Sequence, residues 1–229
     1  MEKYRIAGLT VEMEAFGRTK QQAEPYRIET DAAADITIVC DAAQVLERNP
    51  YISDLDMAYY VGSGVYFTWG LLRYAGTYIH ASAVLLDGKA YLFSADSGTG
   101  KSTHTEKWCR LFGARYLNDD KPAVRLENGV WMAYGTPWSG KYDLSSPERA
   151  PIGGIAFLKR GDTNAVVPMQ PKDAVNKLFP QTMWRLNREM MLKQLELTDH
   201  LLRNVPLWEL TCQNNDEAAY LSHKIMTGR

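Results

Sequence analysis

Cysteine is scarce in this sequence. The 229 residues include three cysteines, Cys40, Cys109 and Cys212, which are far apart and form no CxxC pair. This number and spacing indicate neither a disulfide framework nor a zinc site. We therefore expect three reduced thiols that are mostly buried. The four histidines show no HExxH spacing, so the sequence lacks that zinc-hydrolase motif as well.

An excess of charge and long apolar runs are also lacking. The net charge is −1, so no overall field attracts nucleic acid or an anionic membrane, and we expect neither as a partner. No stretch approaches the roughly 20 apolar residues that a membrane-spanning helix needs. The N-terminus has no continuous apolar block followed by a small-residue cleavage site, as a signal peptide would. We therefore expect a cytoplasmic protein.

The first third of the chain is difficult to assign. Broken alternation predicts one strand over 3–14, and β-branched residues predict another over 35–40. A polar loop with a short strand at 26–29 is expected between them. Further elements are a short helix at 42–47 and an apolar segment at 65–72 that fits strand or helix. We predict that residues 1–75 form a β-rich part packed on a catalytic domain of residues 76–229.

The remainder has clearer signals. Asp-Gly and Asn-Gly turns predict hairpins over 81–94 and 123–134. A helix is expected over 101–112, ended by Gly113. The other predicted elements are short strands at 116–117, 155–158 and 207–211, and helices at 172–179, 181–202 and 216–226. Hairpins followed by helices predict a mixed α+β fold with a helical C-terminal part.

Residues 95–102 (ADSGTGKS) fit the phosphate-loop pattern G-x-x-x-x-G-K-[ST], with Ala95 in the first glycine position. Gly98 and Gly100 permit backbone angles at which successive amides can point inward around a phosphate. The following helix N-terminus also favours an anion. In this motif Lys101 reaches the β- and γ-phosphates and Ser102 holds Mg²⁺. The relaxed pattern is expected by chance in about one chain in fifty of this length, and the strand before and helix after it strengthen the prediction.

Asp119 and Asp120 follow the next predicted strand. Two adjacent acids can place one carboxylate on a metal and the other towards an acceptor hydroxyl, and phosphoryl transfer requires both functions. An acidic surface turn is the alternative. Their position downstream of a phosphate loop favours the functional interpretation.

Together these residues resemble the HPr kinase/phosphorylase family, whose fold is related to that of PEP carboxykinase. The resemblance covers His80, the 81–94 hairpin, the phosphate loop and Asp119-Asp120, in the order and spacing of the family. The chain looks most like the compact HPr-kinase-like proteins of Gram-positive bacteria, some of which phosphorylate a serine of a precursor peptide. The resemblance implies a P-loop core with a mixed sheet, and ATP and Mg²⁺ as cofactors.

Roles follow from the resemblance for particular residues. Asp119 would deprotonate or orient the acceptor hydroxyl, and Ser102 and Asp120 would hold Mg²⁺. His80 would lie near the transferred phosphate, although it could equally be a packed histidine at the start of a strand. The resemblance places the nucleotide on the loop residues Asp96, Ser97, Gly98, Thr99, Gly100, Lys101, Ser102 and Thr103.

Some positions differ from the family or stay open. Thr103 replaces a frequent glutamate, and 149–155 (RAPIGGI) only partly matches the signature for phosphorolysis. Residues 135–141 could form a rigid loop over the site, with Lys141 stabilising the transition state, or a turn in which Trp138 fills the core. Arg149 and Arg160 could neutralise phosphate charge, or lie on the surface.

The sequence therefore predicts a kinase that transfers the γ-phosphate of ATP to a serine hydroxyl on a protein, peptide or small molecule. A non-catalytic ATP-binding regulator shares the loop but needs no base. A PEP carboxykinase-like lyase is the third alternative, for which the chain is short.

Overall fold

The computed structural model describes residues 1–96, 98–182 and 186–229. Within these ranges the N-terminal part contains a four-stranded sheet with strand order β3-β1-β2-β4. Its strands are β1 (Glu2–Ile6), β2 (Leu9–Met13), β3 (Arg27–Ile28) and β4 (Ile36–Ile38). Ala7 and Gly8, with φ of 51° and 77°, turn the chain between β1 and β2. The single strand predicted over 3–14 is therefore a hairpin.

This region was predicted to be β-rich, but it also contains three helices and is therefore mixed. They are α1 (Gly17–Ala23), α2 (Ala42–Glu47) and α3 (Leu55–Leu71). The prediction of a loop over 15–34 was wrong where α1 forms. The predicted helix at 42–47 is confirmed as α2. The segment 65–72, which fitted strand or helix, largely belongs to α3. The helix α3 buries residues on several faces, including Tyr59, Tyr60 and Ser63. It therefore lacks the single apolar stripe that identifies a helix in a sequence.

The rest of the chain contains a nine-stranded mixed sheet, counted over the described residues. Its strands are β5 (Gly76–Tyr78), β6 (Ala81–Leu86), β7 (Lys89–Ser94), β8 (Arg115–Asn118), β9 (Ala123–Glu127), β10 (Val130–Tyr134), β11 (Arg149–Arg160), β12 (Ala165–Pro168) and β13 (Leu207–Cys212). Both predicted hairpins are confirmed. Asp87 and Gly88 have φ of 50° and 74°, and Asn128 and Gly129 have φ of 50° and 81°.

The long strand β11 connects the two halves of this sheet. Its first residues pair with β10 in antiparallel orientation, and its later residues pair with β7 and β13 in parallel. The prediction of a strand at 155–158 captured only its buried centre, because the flanking segments contain proline, glycine and charged residues. Parallel pairing of β7 with β11 places the end of β7 inside the sheet, where the phosphate loop begins.

The remaining helices are α4 (Lys101–Phe112), α5 (Pro171–Leu178), α6 (Arg188–Asn204) and α7 (Asp216–Thr227). The predicted helical C-terminal part is thus confirmed, although α6 starts later than position 181. The side chain of Asn187 caps α6 by accepting from the Met190 amide. Residues 183–185 of the predicted helix lie outside the described residues. Among the described helices, none has the length and apolar character required to cross a bilayer.

Hydrophobic cores lie on both faces of the large sheet. Leu92 of β7 packs in the core that includes α5 and α6, whereas its neighbour Phe93 packs with Trp108 of α4 and Met226 of α7. This alternation follows from the two-residue period of a strand. A third core joins the N-terminal sheet and α3 to Ala123, Tyr134 and Trp138. Residues 1–75 therefore pack against the remainder, and the domain boundary near residue 75 stays a prediction.

Candidate functional site

The loop after β7 has the backbone conformation that glycine allows. Gly98 and Gly100 have φ of 78° and 116°, values that residues with a Cβ rarely adopt. Apart from the glycine itself and its chain neighbours, no described atom lies within 4 Å of where a Cβ would stand at either position, so both face open space. The Thr99 amide donates to the Asp96 carbonyl at 3.2 Å, which closes a turn. Ser97, a predicted nucleotide contact, lies outside the described residues.

The helix α4 begins at Lys101, as the motif predicts, and is fixed by its buried face. His104 Nε2 lies 2.9 Å from Ser222 Oγ of α7, and the Trp108 indole donates to the same hydroxyl at 3.0 Å. Burial lowers the pKa of His104 to about 4, so this imidazole is neutral at pH 7. The first turn of α4 is thus held rigidly with its free amides beside the loop.

The Lys101 side chain turns back across the loop. Its ammonium donates to the Ala95 carbonyl at 2.7 Å. Burial lowers the pKa of Lys101, and the charges of Asp120 and Asp96 partly oppose that shift. The lysine therefore lies half-buried between the loop and the paired aspartates, close to where a phosphate would sit in this motif.

Asn118, the last residue of β8, orients the two aspartates. Its side-chain oxygen accepts from the amides of Asp120 and Lys121 at 2.9 and 2.6 Å, and its side-chain amide donates to the Thr136 carbonyl at 3.0 Å. These bonds fix a tight turn. They also give the neighbouring carboxylates different surroundings.

Asp119 is the more buried acid, with 6% of its surface exposed. One carboxylate oxygen accepts from the Gly140 amide. Burial raises the pKa of Asp119, the Gly140 hydrogen bond opposes this shift, and the charge of Asp120 adds to it. A partly desolvated carboxylate with a raised pKa accepts a proton more readily than an ordinary aspartate does.

Asp120 instead has basic neighbours. Its carboxylate lies 3.1 Å from His80 Nε2 and forms an ion pair with Lys121. Burial alone would raise the pKa of Asp120, but the hydrogen bond from His80 and the charge of Lys121 outweigh it, so the pKa lies below its usual range. His80 Nδ1 lies 3.0 Å from Gln181 Oε1. The structure therefore places His80 beside Asp120, at the edge of the cleft.

The 135–141 segment contributes to the core and also reaches the cleft, and the role of Lys141 in the transition state stays a prediction. Trp138 is buried and stacks on Phe67 with ring centroids 4.8 Å apart, so it fills the core. Two residues later the Gly140 amide contacts Asp119. Lys141 is exposed, and its ammonium lies 4.6 Å over the Tyr142 ring at the rim.

A cleft of about 800 Å³ brings most of the predicted site together. This volume is within the range of small-molecule and cofactor sites. Its lining includes His80, Gly98, Thr99, Gly100, Lys101, Ser102, Thr103, Asp119, Asp120 and Lys141. Asp96 is exposed and is absent from this lining, within the described residues. Lys107 and Arg160 add positive charge to the same walls.

The two arginines considered from sequence have different positions. Arg160 lies on the cleft, and its guanidinium donates to the carbonyl of Gly98 at 2.6 Å. Arg149 instead lies 3.2 Å from Glu127 and donates to the Tyr134 hydroxyl at 3.1 Å. Arg160 therefore supports the loop, whereas Arg149 has a surface ion pair.

Sequence analysis missed Arg18 and Lys121. Arg18 of α1 donates to the Gly140 carbonyl at 2.6 Å and to Asp143, and its guanidinium lies 4.2 Å over the Tyr60 ring. No local signal marks this residue, since the partners of its side chain are more than 40 positions away. Lys121 directly follows the aspartates, and that adjacency could have marked it.

Few side-chain oxygens of the described residues are placed to bind a divalent cation in the cleft. No group of three or more His, Cys, Asp or Glu side chains could hold a metal among the residues that the structure describes. Mg²⁺ commonly uses one or two protein oxygens together with phosphates and water. Ser102 and Asp120 fit that chemistry, provided that Lys121 releases the Asp120 carboxylate when the cation binds.

Comparison with known proteins finds a distant structural likeness. No family model matches the chain, and no curated protein matches it. A solved structure of the Hpr(Ser) kinase/phosphatase from Coxiella burnetii aligns with 66% of this chain and 99% of that chain, at 12% identity and a TM-score of 0.40. The likeness is distant.

Proposed function

We propose that this chain is an ATP-dependent kinase that transfers the γ-phosphate to a serine hydroxyl of a peptide, protein or small molecule. The observation that carries the proposal is that Lys101, at the N-terminus of α4, and the carboxylates Asp119 and Asp120 line one cleft. Phosphate binding requires the first feature, and transfer to a hydroxyl requires the second.

The amides around Gly98 and Gly100 would surround the β-phosphate, with Lys101 on the β- and γ-oxygens. Lys107 and Arg160, on the same cleft, would add positive charge around the triphosphate. Mg²⁺ would be held by Ser102 and Asp120, and would neutralise charge on the phosphates. His80 would then hydrogen-bond the second Asp120 oxygen and keep that carboxylate oriented.

Asp119 would act as the base. As the acceptor oxygen bonds to the γ-phosphorus, the bond from that phosphorus to the β,γ-bridging oxygen breaks and ADP leaves. The hydroxyl proton passes to Asp119, whose raised pKa suits it to hold a proton transiently. The Gly140 amide keeps the carboxylate facing one direction during the transfer.

The first experiment is titration calorimetry with ATP and Mg²⁺ on the wild-type chain and on Lys101→Ala. We expect binding that Lys101→Ala weakens by tenfold or more, since charge-assisted hydrogen bonds to phosphate are lost. Lys177→Ala is a matched control, because Lys177 pairs with Glu209 away from the cleft. Equal binding by all three proteins would contradict a phosphate site at Lys101.

The second experiment detects transfer by mass spectrometry of serine peptides and of free serine after incubation with ATP and Mg²⁺. A mass increase of one phosphate that Asp119→Asn abolishes supports the kinase. ATP binding without transfer to any hydroxyl would favour a second candidate, a nucleotide-dependent regulator. That candidate is favoured by one observation: Asp120 is engaged by both His80 and Lys121.

A further inference from the structure

A second pocket adjoins the aspartate turn at Lys121. Its volume is about 170 Å³, and it lies between α3 and residues Lys121, Thr136 and Trp138. The helix contributes one face, with Tyr60, Val61, Gly64, Val65, Phe67 and Thr68. Tyr78, at the end of β5, completes the wall.

The size of this pocket limits its ligand. Cofactor and drug-sized ligands occupy about 300 to 1,000 Å³, whereas a cavity of about 150 Å³ holds benzene. A pocket of about 170 Å³ therefore fits one leucine-sized or phenyl-sized group. Its lining is mostly aromatic and aliphatic, so the matching group is apolar.

The walls of the pocket are held by contacts with one another. Trp138 is stacked on Phe67, and its indole donates to Ser63 Oγ at 3.1 Å. A Cβ added at Gly64 would come within 2.9 Å of the Trp138 ring, so a side chain there would press on this wall. Val61 is 42% exposed at the mouth, which leaves the apolar lining open to solvent.

The position of the pocket indicates what occupies it. Lys121 lines the pocket and pairs with Asp120, which lines the phosphate cleft. Lys121 is two residues from Asp119, so their Cα atoms are at most about 7.6 Å apart. An extended peptide advances about 3.3 Å per residue. A side chain in this pocket would thus be a few positions from a hydroxyl at Asp119.

We infer that the pocket binds an apolar side chain close in sequence to the phosphorylated serine, and that the acceptor is a peptide or protein segment. This inference rests on the proposed kinase function. Free serine has no group that would fill the pocket. The specificity of the enzyme would come from Val61, Val65 and Trp138, whereas Asp119 and the loop would act on any acceptor placed correctly.

The test uses fluorescent serine peptides that carry leucine, alanine or aspartate at each position from three before to three after the serine. Wild-type protein is compared with Val61→Glu, which places a charge at the mouth. Val167→Glu is the matched control, because Val167 is 56% exposed on β12 and does not line the pocket. Phosphorylation and peptide binding without nucleotide, measured by fluorescence anisotropy, are recorded separately.

We expect leucine at one or two positions to raise kcat/KM by about tenfold or more over alanine, as burial of one apolar side chain predicts. Val61→Glu should abolish this preference and leave ATP affinity unchanged, and Val167→Glu should retain it. No leucine preference at any position, or one that persists in Val61→Glu, would overturn the inference. Preferred phosphorylation of free serine, or pocket-dependent self-association instead of peptide binding, would also overturn it.

The experiment distinguishes failure of the proposed kinase function from failure of the inferred peptide pocket. If no acceptor is phosphorylated, the kinase proposal fails, and the anisotropy data still decide whether the pocket binds an apolar side chain. Leucine-dependent binding that Val61→Glu removes supports the pocket in that case. Equal binding of leucine and aspartate peptides contradicts it.

Discussion

The backbone amide of Gly140 donates a hydrogen bond to the Asp119 carboxylate. The carbonyl of Gly140 in turn accepts from the Arg18 guanidinium at 2.6 Å. Arg18 belongs to α1, in the N-terminal part, and also contacts Tyr60 and Asp143. One peptide segment therefore links the N-terminal part to the candidate base.

The first prediction concerns this link. Arg18→Ala should lower kcat by about tenfold to a hundredfold and leave the KM for ATP unchanged, because a shift of the Gly140 amide misorients Asp119. Steady-state kinetics with a serine peptide that the wild-type protein phosphorylates measure both constants. Arg203→Ala removes an exposed ion pair on α6 and serves as control. A rise in the KM for ATP with unchanged kcat would show that Arg18 does not act through Asp119.

The second prediction concerns pH and Asp119. Because burial raises the pKa of this carboxyl, kcat/KM should fall on the acid side at a pH above that expected for an ordinary aspartate of pKa 3.8. The native state holds the proton more tightly than the unfolded state, so this group lowers stability as pH rises between the two pKa values. Asp119→Asn should abolish transfer without lowering Tm at pH 7.

Thermal unfolding of Asp119→Asn and of the control Asp31→Asn at several pH values checks this sign. Asp31 is exposed and does not line the cleft. A clear loss of Tm in Asp119→Asn at pH 7 would mean that the charged carboxylate stabilises the fold, contrary to the prediction.

The third prediction concerns Asp120, whose charge should raise the stability of the fold, whereas the charge of Asp119 should lower it. The pKa of Asp120 is lowered against its burial by His80 and Lys121, so its charge stabilises the fold above pH 3.8 and that contribution is lost as pH falls below it. Asp120→Asn should lower Tm at pH 7 by about 2 to 6 °C, for a loss of about 1 to 2 kcal/mol. The difference should shrink at pH 3.

Asp199→Asn provides the comparison, because Asp199 pairs with Arg203 on an exposed helix face. Such pairs contribute little, so its Tm should change much less. Equal losses for both variants, or a loss for Asp120→Asn that persists at pH 3, would argue against the charge as the cause.

The fourth prediction concerns the loop backbone. Gly100 has φ of 116°, a conformation that is strained for any residue with a Cβ, although no described atom beyond its chain neighbours lies within 4 Å of that position. Gly100→Ala should cost about 1 to 3 kcal/mol of stability or shift the loop, and should weaken ATP binding measured by calorimetry. Gly129→Ala, at φ of 81° in the hairpin turn, should lower Tm while ATP binding stays unchanged. Unchanged ATP binding in Gly100→Ala would show that Gly100 does not contribute to the proposed phosphate site.

Local sequence was informative where local forces decide structure. The hairpin turns at Asp87-Gly88 and Asn128-Gly129, the start of α4 at Lys101 and its end at Gly113 follow from backbone angles that few residues adopt. The same property identified the loop, whereas the aspartates that follow β8 were identified by their residue type and their position after a predicted strand. The helix α1 was not predicted, and helix was only one of two alternatives for part of α3, because the burial of both depends on neighbours distant in the chain, which no periodicity shows.

The sequence by itself determined the mixed fold, the loop, and the residue types that the proposed phosphoryl transfer would use. Only the tertiary structure decided that Asp119 is desolvated beside Gly140 whereas Asp120 pairs with His80 and Lys121. It also decided that Arg18 supports Gly140 and that an apolar pocket adjoins the same turn. Turn geometry depends on adjacent residues, whereas desolvation and charge pairing depend on elements that are brought together only by folding.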